Sequence, residues 1–371
     1  MKILFVSVNY NPLNPPINGD TQRTRLLYQA CASAAEVDVI VVKGSLIGKQ
    51  HKGRLKKWID VLPFSGMSSL FTVNAKWEAV VDEAIQNNHY DYIVTRYLNR
   101  ALTCGLWKYR DRLIVDFDDA LSFFFLNQIE SSSAWTTRLR LKLAAMKANA
   151  ISQRAVKELH TAFFAKKETA SANKGTFLPN IPFYGESCPD ADMNTSHPRI
   201  VFVGQLEYQP NKEGLDFFLE QVYSPLKQRL PSVEMHIVGL INDKLLKQRW
   251  ESYPDVLVTG FVNDLRQEYE GSQVVVVPIL RCGATNIKVL EAMSMNRACV
   301  ASMEAYDAFR DQFVDKRDLY VAESSIAFVD SVYTLLTDEA ENKRIAHHAK
   351  EAMRAYYSFD AFAQIVKTAI G

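Results

Sequence analysis

The residues of greatest chemical interest lie between Pro278 and Asn296, where an apolar stretch leads into a short loop and then into helical periodicity. Gly283 and Ala284 let a ligand approach the loop backbone closely, because they carry little or no side chain. Thr285 can cap the following helix, whose free first-turn N–H groups favour a phosphate. The sequence therefore predicts an anion site at this helix start, formed by Gly283, Ala284, Thr285, Asn286 and Ile287.

Two charged side chains follow on one face of that predicted helix. Lys288 lies one turn in and can add a charge-assisted contact to a phosphate. Glu291, three residues later, can accept hydrogen bonds from the hydroxyl groups of a ribose. An ordinary capped helix with an exposed Lys–Glu pair explains the same spacing equally well, so both interpretations stay open.

An acidic run, Asp116-Phe117-Asp118-Asp119, follows an apolar stretch in the first half of the chain. Asp118 and Asp119 are candidates to position a hydroxyl group or to act as a general base. Asp116 and Asp118 also form a D-x-D pattern, whose carboxylates suit a divalent cation. Another interpretation is an aspartate that caps the turn after a strand. We expect no metal, because D-x-D patterns are frequent by chance.

A third candidate segment, Gly19 to Arg23, lies where a proline- and asparagine-rich loop enters a predicted helix. Arg23 is placed to contact a phosphate or an acceptor from one turn inside that helix. The alternative is an arginine on the solvated face of the helix.

These groups need a scaffold, and the hydrophobic pattern supplies one. Continuous apolar stretches at 37–42 and 200–203 alternate with helical periodicity at 75–86 and 212–229. Apolar strands that alternate with helices are typical of a parallel sheet covered on both faces. The predicted fold class is α/β, with two Rossmann-like doubly wound domains and a cleft between them.

The two predicted domains differ in charge. The chain has 371 residues, enough for two domains, and a Pro- and Gly-containing stretch at 183–198 suggests a boundary between residues 1–182 and 183–357. Residues 1–180 carry 24 Lys and Arg against 15 Asp and Glu, a net +9, whereas residues 181–371 carry 19 against 27, a net −8. This asymmetry predicts different partners for the two domains.

Composition excludes several classes of protein. With 48% hydrophobic and 23% charged residues, the chain is neither disordered nor membrane-spanning. Five scattered cysteines without a C-x-x-C pattern predict reduced thiols rather than a zinc site or disulfides. No P-loop, G-x-G-x-x-G or G-x-S-x-G pattern is present, which leaves ATPase, dehydrogenase and hydrolase functions without support. No signal peptide is visible, so a cytoplasmic protein is expected.

The segment after Pro278 resembles the nucleotide-binding motif of family 4 glycosyltransferases, which have the GT-B fold. In that family a glycine-rich turn precedes a helix with T-x-x-K-x-L-E-A-M, matched here by Thr285, Lys288, Leu290, Glu291, Ala292 and Met293. The resemblance covers nearly the whole chain. It also includes Phe202 to Gly204 with Gln209 to Asn211, Val258 to Val262, Gly19 to Arg23, and Asp116 to Ser122.

The resemblance implies retaining transfer of a sugar from a nucleotide-sugar donor to a glycan or lipid-linked acceptor, without a metal or other cofactor. The second domain would bind the donor and the first the acceptor, and a C-terminal helix at about 358–371 would pack back on the first domain. Catalytic roles are implied for Asp118, Asp119 and Lys288, and acceptor contacts for Gly19, Asp20 and Arg23. Donor contacts are implied for Gly204, Gln205, Lys212, Gly239, Phe261, Val262, Gly283, Ala284, Thr285, Asn286, Ile287 and Glu291.

Two positions depart from the family pattern. Many members carry a glutamate where this chain has Gly283, and an arginine where it has Gln205, although Lys212 lies downstream. Two other functions therefore remain open: a non-catalytic sugar-nucleotide-binding partner of another transferase, and a sugar-nucleotide epimerase on the same fold. Nucleic-acid binding by the basic half lacks an aromatic-basic recognition motif.

Within residues 43–77, six Lys and Arg residues from Lys43 to Lys57 precede an apolar stretch that contains Trp58 and Phe64. Cations followed by aromatic and apolar groups suit docking at an anionic membrane, here the inner face, where a lipid-linked acceptor would be available. A solvated basic loop that leads into a buried helix explains the pattern equally well.

Overall fold

The computed structural model describes residues 1–16, 19–44, 72–118, 121–130, 134–182, 197–262, 264–281 and 286–371. The chain divides into two compact units, one formed by Met1–Pro179 with Phe362–Gly371 and the other by Asn180–Ala361. Within the described ranges, each unit is built on one parallel sheet of six strands.

The first unit has the sheet order β2-β1-β3-β4-β5-β6. Residues Ile3 to Val6 of β1, which lies inside the sheet next to the edge strand β2, are fully buried, as expected for a strand with both sheet faces covered. The strands are β1 (Lys2–Val8), β2 (Glu36–Val42), β3 (Tyr92–Arg96), β4 (Leu113–Asp118), β5 (Thr161–Phe164) and β6 (Thr176–Phe177). The helices are α1 (Gly19–Ala32), α2 (Ala75–Asn87), α3 (Leu98–Thr103), α4 (Leu121–Glu130), α5 (Trp135–Glu158) and α6 (Lys167–Asn173).

The second unit has the sheet order β12-β11-β10-β7-β8-β9. Its strands are β7 (Arg199–Val203), β8 (Glu234–Val238), β9 (Val256–Gly260), β10 (Val274–Val277), β11 (Ala298–Ser302) and β12 (Tyr320–Ala322). The helices are α7 (Gln209–Phe218), α8 (Ser224–Arg229), α9 (Lys244–Glu251), α10 (Arg266–Glu270), α11 (Ile287–Ser294), α12 (Met303–Tyr306), α13 (Ser325–Thr337) and α14 (Glu339–Tyr357). A last helix, α15 (Phe359–Ile370), begins in this unit and ends in the first.

The prediction of one uninterrupted helix over 212–229 is wrong, because a change of helix type interrupts it. A π-helical turn at Leu219–Tyr223 separates α7 from α8, and the amide of Ser224 bonds to the carbonyl of Leu219. The next residue, Pro225, has no N–H with which to continue the regular ladder of helical hydrogen bonds.

None of the helices in the described ranges is long and apolar enough to cross a membrane.

In both sheets the direction in which successive strands are added reverses once. The reversal lies between β1 and β3 in the first unit and between β7 and β10 in the second. Ligands of open α/β sheets bind outside the carboxyl ends of the strands at such a point. The strand ends at Arg96, Asp118 and Gly204 are therefore the places where a site is expected.

Candidate functional site

In the second unit, the carboxyl ends of β7 and β8 approach so closely that only glycine fits. A Cβ atom on Gly239 would lie 1.7 Å from the carbonyl oxygen of Gly204, and Gly239 has a φ of +149°. The amide of Gly204 donates to the carbonyl of Val238 at 3.0 Å, and that of Gly239 to the carbonyl of Gly260 at 2.9 Å. The strand ends thus present backbone rather than side chains, which lets a ligand come close.

Lys288 extends over the end of β7. A Cβ atom on Gly204 would lie 2.7 Å from Cε of Lys288, and the ammonium is 5.8 Å from the centre of the Phe202 ring. Lys288 belongs to the first turn of α11, which begins at Ile287 and has Asn286 at the cap position. A cation and the first-turn amides of a helix therefore lie beside an open strand end, an arrangement that suits a phosphate.

Glu291 lies one turn further along α11 and is only partly accessible to solvent. The Tyr269 hydroxyl donates to its Oε2 at 3.3 Å. Burial raises the pKa of Glu291 to about 7, against the opposing effect of the Lys288 charge. The interpretation of Lys288 and Glu291 as an exposed surface pair is wrong, since both side chains are partly buried. A carboxyl group that titrates near neutrality beside a cation is typical of functional sites.

The turn after Gly204 is held by an asparagine that the sequence analysis missed as a positioning residue. Asn211 is 2% exposed, and its Nδ2 donates to the carbonyl of Gln205 at 2.7 Å. The Gln205 side chain is exposed, and Lys212 is partly exposed at the start of α7. The sequence feature that indicates such a role for Asn211 is its place as a polar residue next to Pro210 at a helix start.

The end of β9 presents an aromatic ring. Phe261 is 69% exposed, Val262 is partly exposed, and the preceding Gly260 has a φ of +78°. An exposed aromatic residue at a strand end is available to stack on a flat ligand group.

In the first unit, Arg96 connects three carboxylates at the ends of β3 and β4. It is 2% exposed, and its Nε donates to Asp116 Oδ2 at 2.9 Å. One terminal nitrogen donates to Asp118 Oδ2 at 2.7 Å and the other to Asp20 Oδ1 at 2.7 Å. The sequence analysis did not identify Arg96 as a site residue, although a charged residue at the end of an apolar strand indicates a possible functional position.

Asp116 is completely buried between two guanidinium groups. Arg23 donates to both of its carboxylate oxygens at 2.8 Å, and also to the carbonyls of Leu178 and Pro179. Burial by itself raises the pKa of Asp116, but the charges of Arg23 and Arg96 outweigh it and the pKa is lowered. In this arrangement both oxygens of Asp116 are bonded to guanidinium groups.

The interpretation of Arg23 as a solvated helix residue is wrong. Its side chain is 3% exposed, because its guanidinium pairs with Asp116 inside the unit. The same bonds occupy the donors with which Arg23 was expected to contact a phosphate or an acceptor. Its role in the structure is to hold α1 against β4.

Asp118 is held in an unusual backbone conformation. It has a φ of +63°, and Tyr97, at the end of the neighbouring strand, has a φ of +64°. Such angles are unfavourable for residues other than glycine and cluster at functional sites. The Asp118 carboxylate remains 26% exposed, with the Tyr97 hydroxyl 3.3 Å away.

Asp20 completes this cluster from the start of α1. The Tyr97 hydroxyl donates to its Oδ1 at 2.8 Å, and Arg100 lies 3.4 Å from its other oxygen. Burial raises the pKa of Asp20, but the charges of Arg96 and Arg100 outweigh it and the pKa is lowered. Gly19, which begins α1, has open space where a Cβ atom would lie.

Several predicted residues lie outside the described ranges: Asp119, Gly283, Ala284, Thr285 and most of the 43–77 segment. Asn286 rather than Thr285 occupies the cap position of α11. Among the residues whose placement is described, no group of three His, Cys, Asp or Glu side chains is arranged to hold a metal ion.

Comparison with known proteins places these features in context. Residues 197–338 match the family model described as Glycosyl transferases group 1. The chain is 21% identical over 321 residues to a Klebsiella pneumoniae protein described as an uncharacterized 44.6 kDa protein in the cps region, covering 82% of this chain and 80% of that one.

Solved structures match over almost the whole chain. Sucrose-phosphate synthase from Thermosynechococcus elongatus has a TM-score of 0.65 at 16% identity, covering 98% of this chain and 96% of that one. HepE from Anabaena, in complex with UDP and glucose, has a TM-score of 0.60 at 17% identity, with coverages of 98% and 97%. The lipopolysaccharide outer core galactosyltransferase WaaB has a TM-score of 0.61 at 12% identity, with coverages of 100% and 99%. These similarities establish the GT-B fold with its two Rossmann-like domains, which confirms the predicted fold class.

Proposed function

We propose that this protein transfers a sugar from a nucleotide-sugar donor to a glycan or lipid-linked acceptor. The observation that carries the proposal is the group at the end of β7, where Lys288 lies over Gly204 and Glu291 lies one turn away. A diphosphate is bound well by a cation and the first-turn amides of a helix, and a ribose needs a hydrogen-bond acceptor. This group supplies all three on the part of the chain that matches the glycosyl transferase model.

The donor diphosphate would lie against the first turn of α11 with Lys288 at its side. Charge that develops on the leaving diphosphate is then stabilised by a preformed cation and helix amides, which need no reorganisation during the reaction. Glu291 would accept bonds from the ribose hydroxyls, and the exposed Phe261 ring would contact the base.

The acceptor would bind the first unit, where the partly exposed Asp118 lies beside the Tyr97 hydroxyl. Asp118, with Asp119, would position the acceptor hydroxyl, and Arg96 would fix the direction of the Asp118 carboxylate. We further propose family 4 membership, a hexosyl donor, retention of the anomeric configuration and independence from metal ions. The relative in a cps region and the lipopolysaccharide transferase support a role in surface polysaccharide synthesis.

A donor screen followed by a transfer assay tests this function. Thermal stability is measured with UDP-, GDP- and dTDP-sugars, because a ligand bound only by the folded state raises the melting temperature. The stabilising donor is then incubated, in labelled form, with an extract of lipid-linked and soluble glycans, with and without EDTA. Labelled glycan that forms equally in both samples is the expected result.

Other outcomes contradict the proposal in distinct ways. Donor binding without turnover would indicate a non-catalytic partner of another transferase, and an epimerised free nucleotide sugar would indicate an epimerase. Strong inhibition by EDTA that manganese reverses would contradict metal independence alone. The exposed carboxylate replacement Glu323→Gln is the matched control for the binding assay, since it should leave donor affinity unchanged.

We also propose that residues 43–77 bring this protein to the inner face of an anionic membrane. The motivation is the order of basic and apolar residues in that segment. Replacement of Lys52, Arg54, Lys56 and Lys57 by Gln should reduce co-sedimentation with anionic vesicles and preserve donor binding. Wild-type protein that stays in the supernatant at low salt would refute this attachment.

A further inference from the structure

The outward face of α5 exposes large apolar side chains. Trp135 is 74% exposed, Met146 is 70% exposed and Leu139 is 43% exposed. Because each residue turns a helix by about 100°, these three and Lys142 lie within about 60° of one another around the axis. They form a single stripe, roughly 16 Å long at the helical rise of about 1.5 Å per residue. We call these four residues the α5 stripe.

The opposite face of α5 attaches the helix to the first unit. Ala148 and Ala155 are fully buried and Ile151 is 5% exposed, and the last two belong to the main hydrophobic core. Helix α4 packs alongside α5 and adds Leu126, which is 45% exposed. The helix is therefore anchored through one face, while its apolar stripe points outward.

The charges on α5 are of one sign up to its last residue, Glu158. From Trp135 to Lys157 every charged residue is basic: Arg138, Arg140, Lys142, Lys147, Arg154 and Lys157. Arg138 and Lys142 are exposed at the stripe and Arg140 is partly exposed. Within the ranges that the structure describes, none of these three forms an ion pair, whereas Arg154 pairs with Glu158 at the far end.

We propose that the α5 stripe docks on an anionic lipid bilayer, with α5 lying in the plane of the interface. An exposed stripe of Trp, Leu and Met fits the boundary between headgroups and acyl chains, where a tryptophan ring is well accommodated. Arg138 and Lys142 at the stripe keep their charged ends at the level of the lipid phosphates, and Arg140 adds positive charge to the same part of the helix. A nucleic acid would use the cations but would leave Leu139 and Met146 without apolar contact. The stripe shares no residue with the 43–77 segment, and this proposal does not depend on the proposed transfer reaction.

Vesicle co-sedimentation tests the charge component. At low salt, wild-type protein should sediment with phosphatidylcholine vesicles that contain about a third phosphatidylglycerol, but not with pure phosphatidylcholine, and salt should release it. The triple variant Arg138→Gln, Arg140→Gln, Lys142→Gln should bind about a hundredfold more weakly, which is about 3 kcal/mol. A control with the same loss of charge, Lys244→Gln, Lys343→Gln, Arg354→Gln, lies on exposed positions of the second unit and should bind like wild type.

Tryptophan quenching by brominated lipids tests the location. Quenching should persist in Trp58→Phe and disappear when Trp135→Phe is added to it, because Trp58 belongs to the 43–77 segment and Trp135 to the stripe. Loss of all quenching in Trp58→Phe alone would assign membrane contact to the 43–77 segment and overturn the α5 proposal. Equal weakening by the triple variant and its control would also overturn it, as would binding of an oligonucleotide without binding of vesicles. Circular dichroism checks that each variant is folded.

Discussion

Replacement of Glu291 by Gln is expected to stabilise the free protein and to weaken donor binding. Burial raises the pKa of Glu291 from an ordinary 4.5 to about 7, so the fold disfavours the ionised carboxylate. A difference of one in pKa corresponds to about 1.4 kcal/mol, which puts the full cost of ionisation near 3 kcal/mol. Because the side chain keeps some solvent access, we expect about 1–3 kcal/mol. The neutral amide of Gln avoids this cost.

The sign of the effect depends on pH. Below pH 4.5 the carboxyl is protonated in both the folded and the unfolded state, and the variant should gain nothing. Between pH 4.5 and 7 the folded state holds a proton that the unfolded state has lost, so wild-type stability falls as pH rises. Above pH 7 the carboxyl is ionised in the folded protein as well, so the folded state bears the full cost of ionising Glu291. Urea unfolding at pH 4.5 and pH 8 measures the difference, with the exposed Glu323→Gln as the matched control.

Donor affinity of the wild-type protein should rise with pH, whereas its stability falls. If the carboxylate accepts the ribose hydroxyl bonds, the wild-type protein should bind donor about tenfold more tightly at pH 8 than at pH 6, as ionisation becomes complete. The Gln variant should lose about 1–3 kcal/mol of binding at pH 8 and most of the pH dependence. Isothermal titration at the two pH values tests both. A variant that is less stable at pH 8 and binds donor as wild type does would refute the reasoning.

Four further substitutions test the remaining parts of the two sites. Lys288→Ala should lower turnover at least tenfold, which is about 1.4 kcal/mol in the activation barrier. The free energy of unfolding should change by less than about 1 kcal/mol. Activity within twofold of wild type would show that Lys288 is only a surface cation. Arg96→Gln should cost about 3–5 kcal/mol in urea unfolding, because it removes one of the two guanidinium partners of the fully buried Asp116. Gly239→Ala should lower the melting temperature strongly, since its Cβ would lie 1.7 Å from the carbonyl of Gly204. Asp118→Asn should reduce transfer in the labelled assay and leave the donor binding isotherm unchanged, and a weakened isotherm would remove it from the acceptor side.

The sequence by itself determined the α/β class and the positions of individual strands such as β2 and β7. The apolar stretch at 200–203 predicts β7, and 37–42 predicts β2, each within one residue of the observed bounds. Helical periodicity at 75–86 likewise predicts α2. These features are readable because hydrophobic periodicity is a local property that reports which faces of a strand or helix are covered. The interruption of 212–229 by a π-helical turn is a local detail that periodicity does not contain.

Only the tertiary structure decided how the charged residues of the first unit are used. Asp20, Arg96 and Asp116 are far apart in sequence, and no spacing rule joins them, yet the ends of β3 and β4 and the start of α1 bring them together. The same packing buries Arg23, for which the sequence allowed an exposed position. Whether an arginine is solvated or paired depends on which residues the fold places beside it.

The second unit shows the same division. The sequence places Lys288 and Glu291 one turn apart on a helix, and that spacing fits both a surface pair and a ligand site. Packing of α11 beside Tyr269 and the end of β7 removes water from Glu291 and raises its pKa to about 7. Residue type and order are fixed along the chain, but the cost of a charge depends on the surroundings that distant segments create, and those exist only in the folded protein.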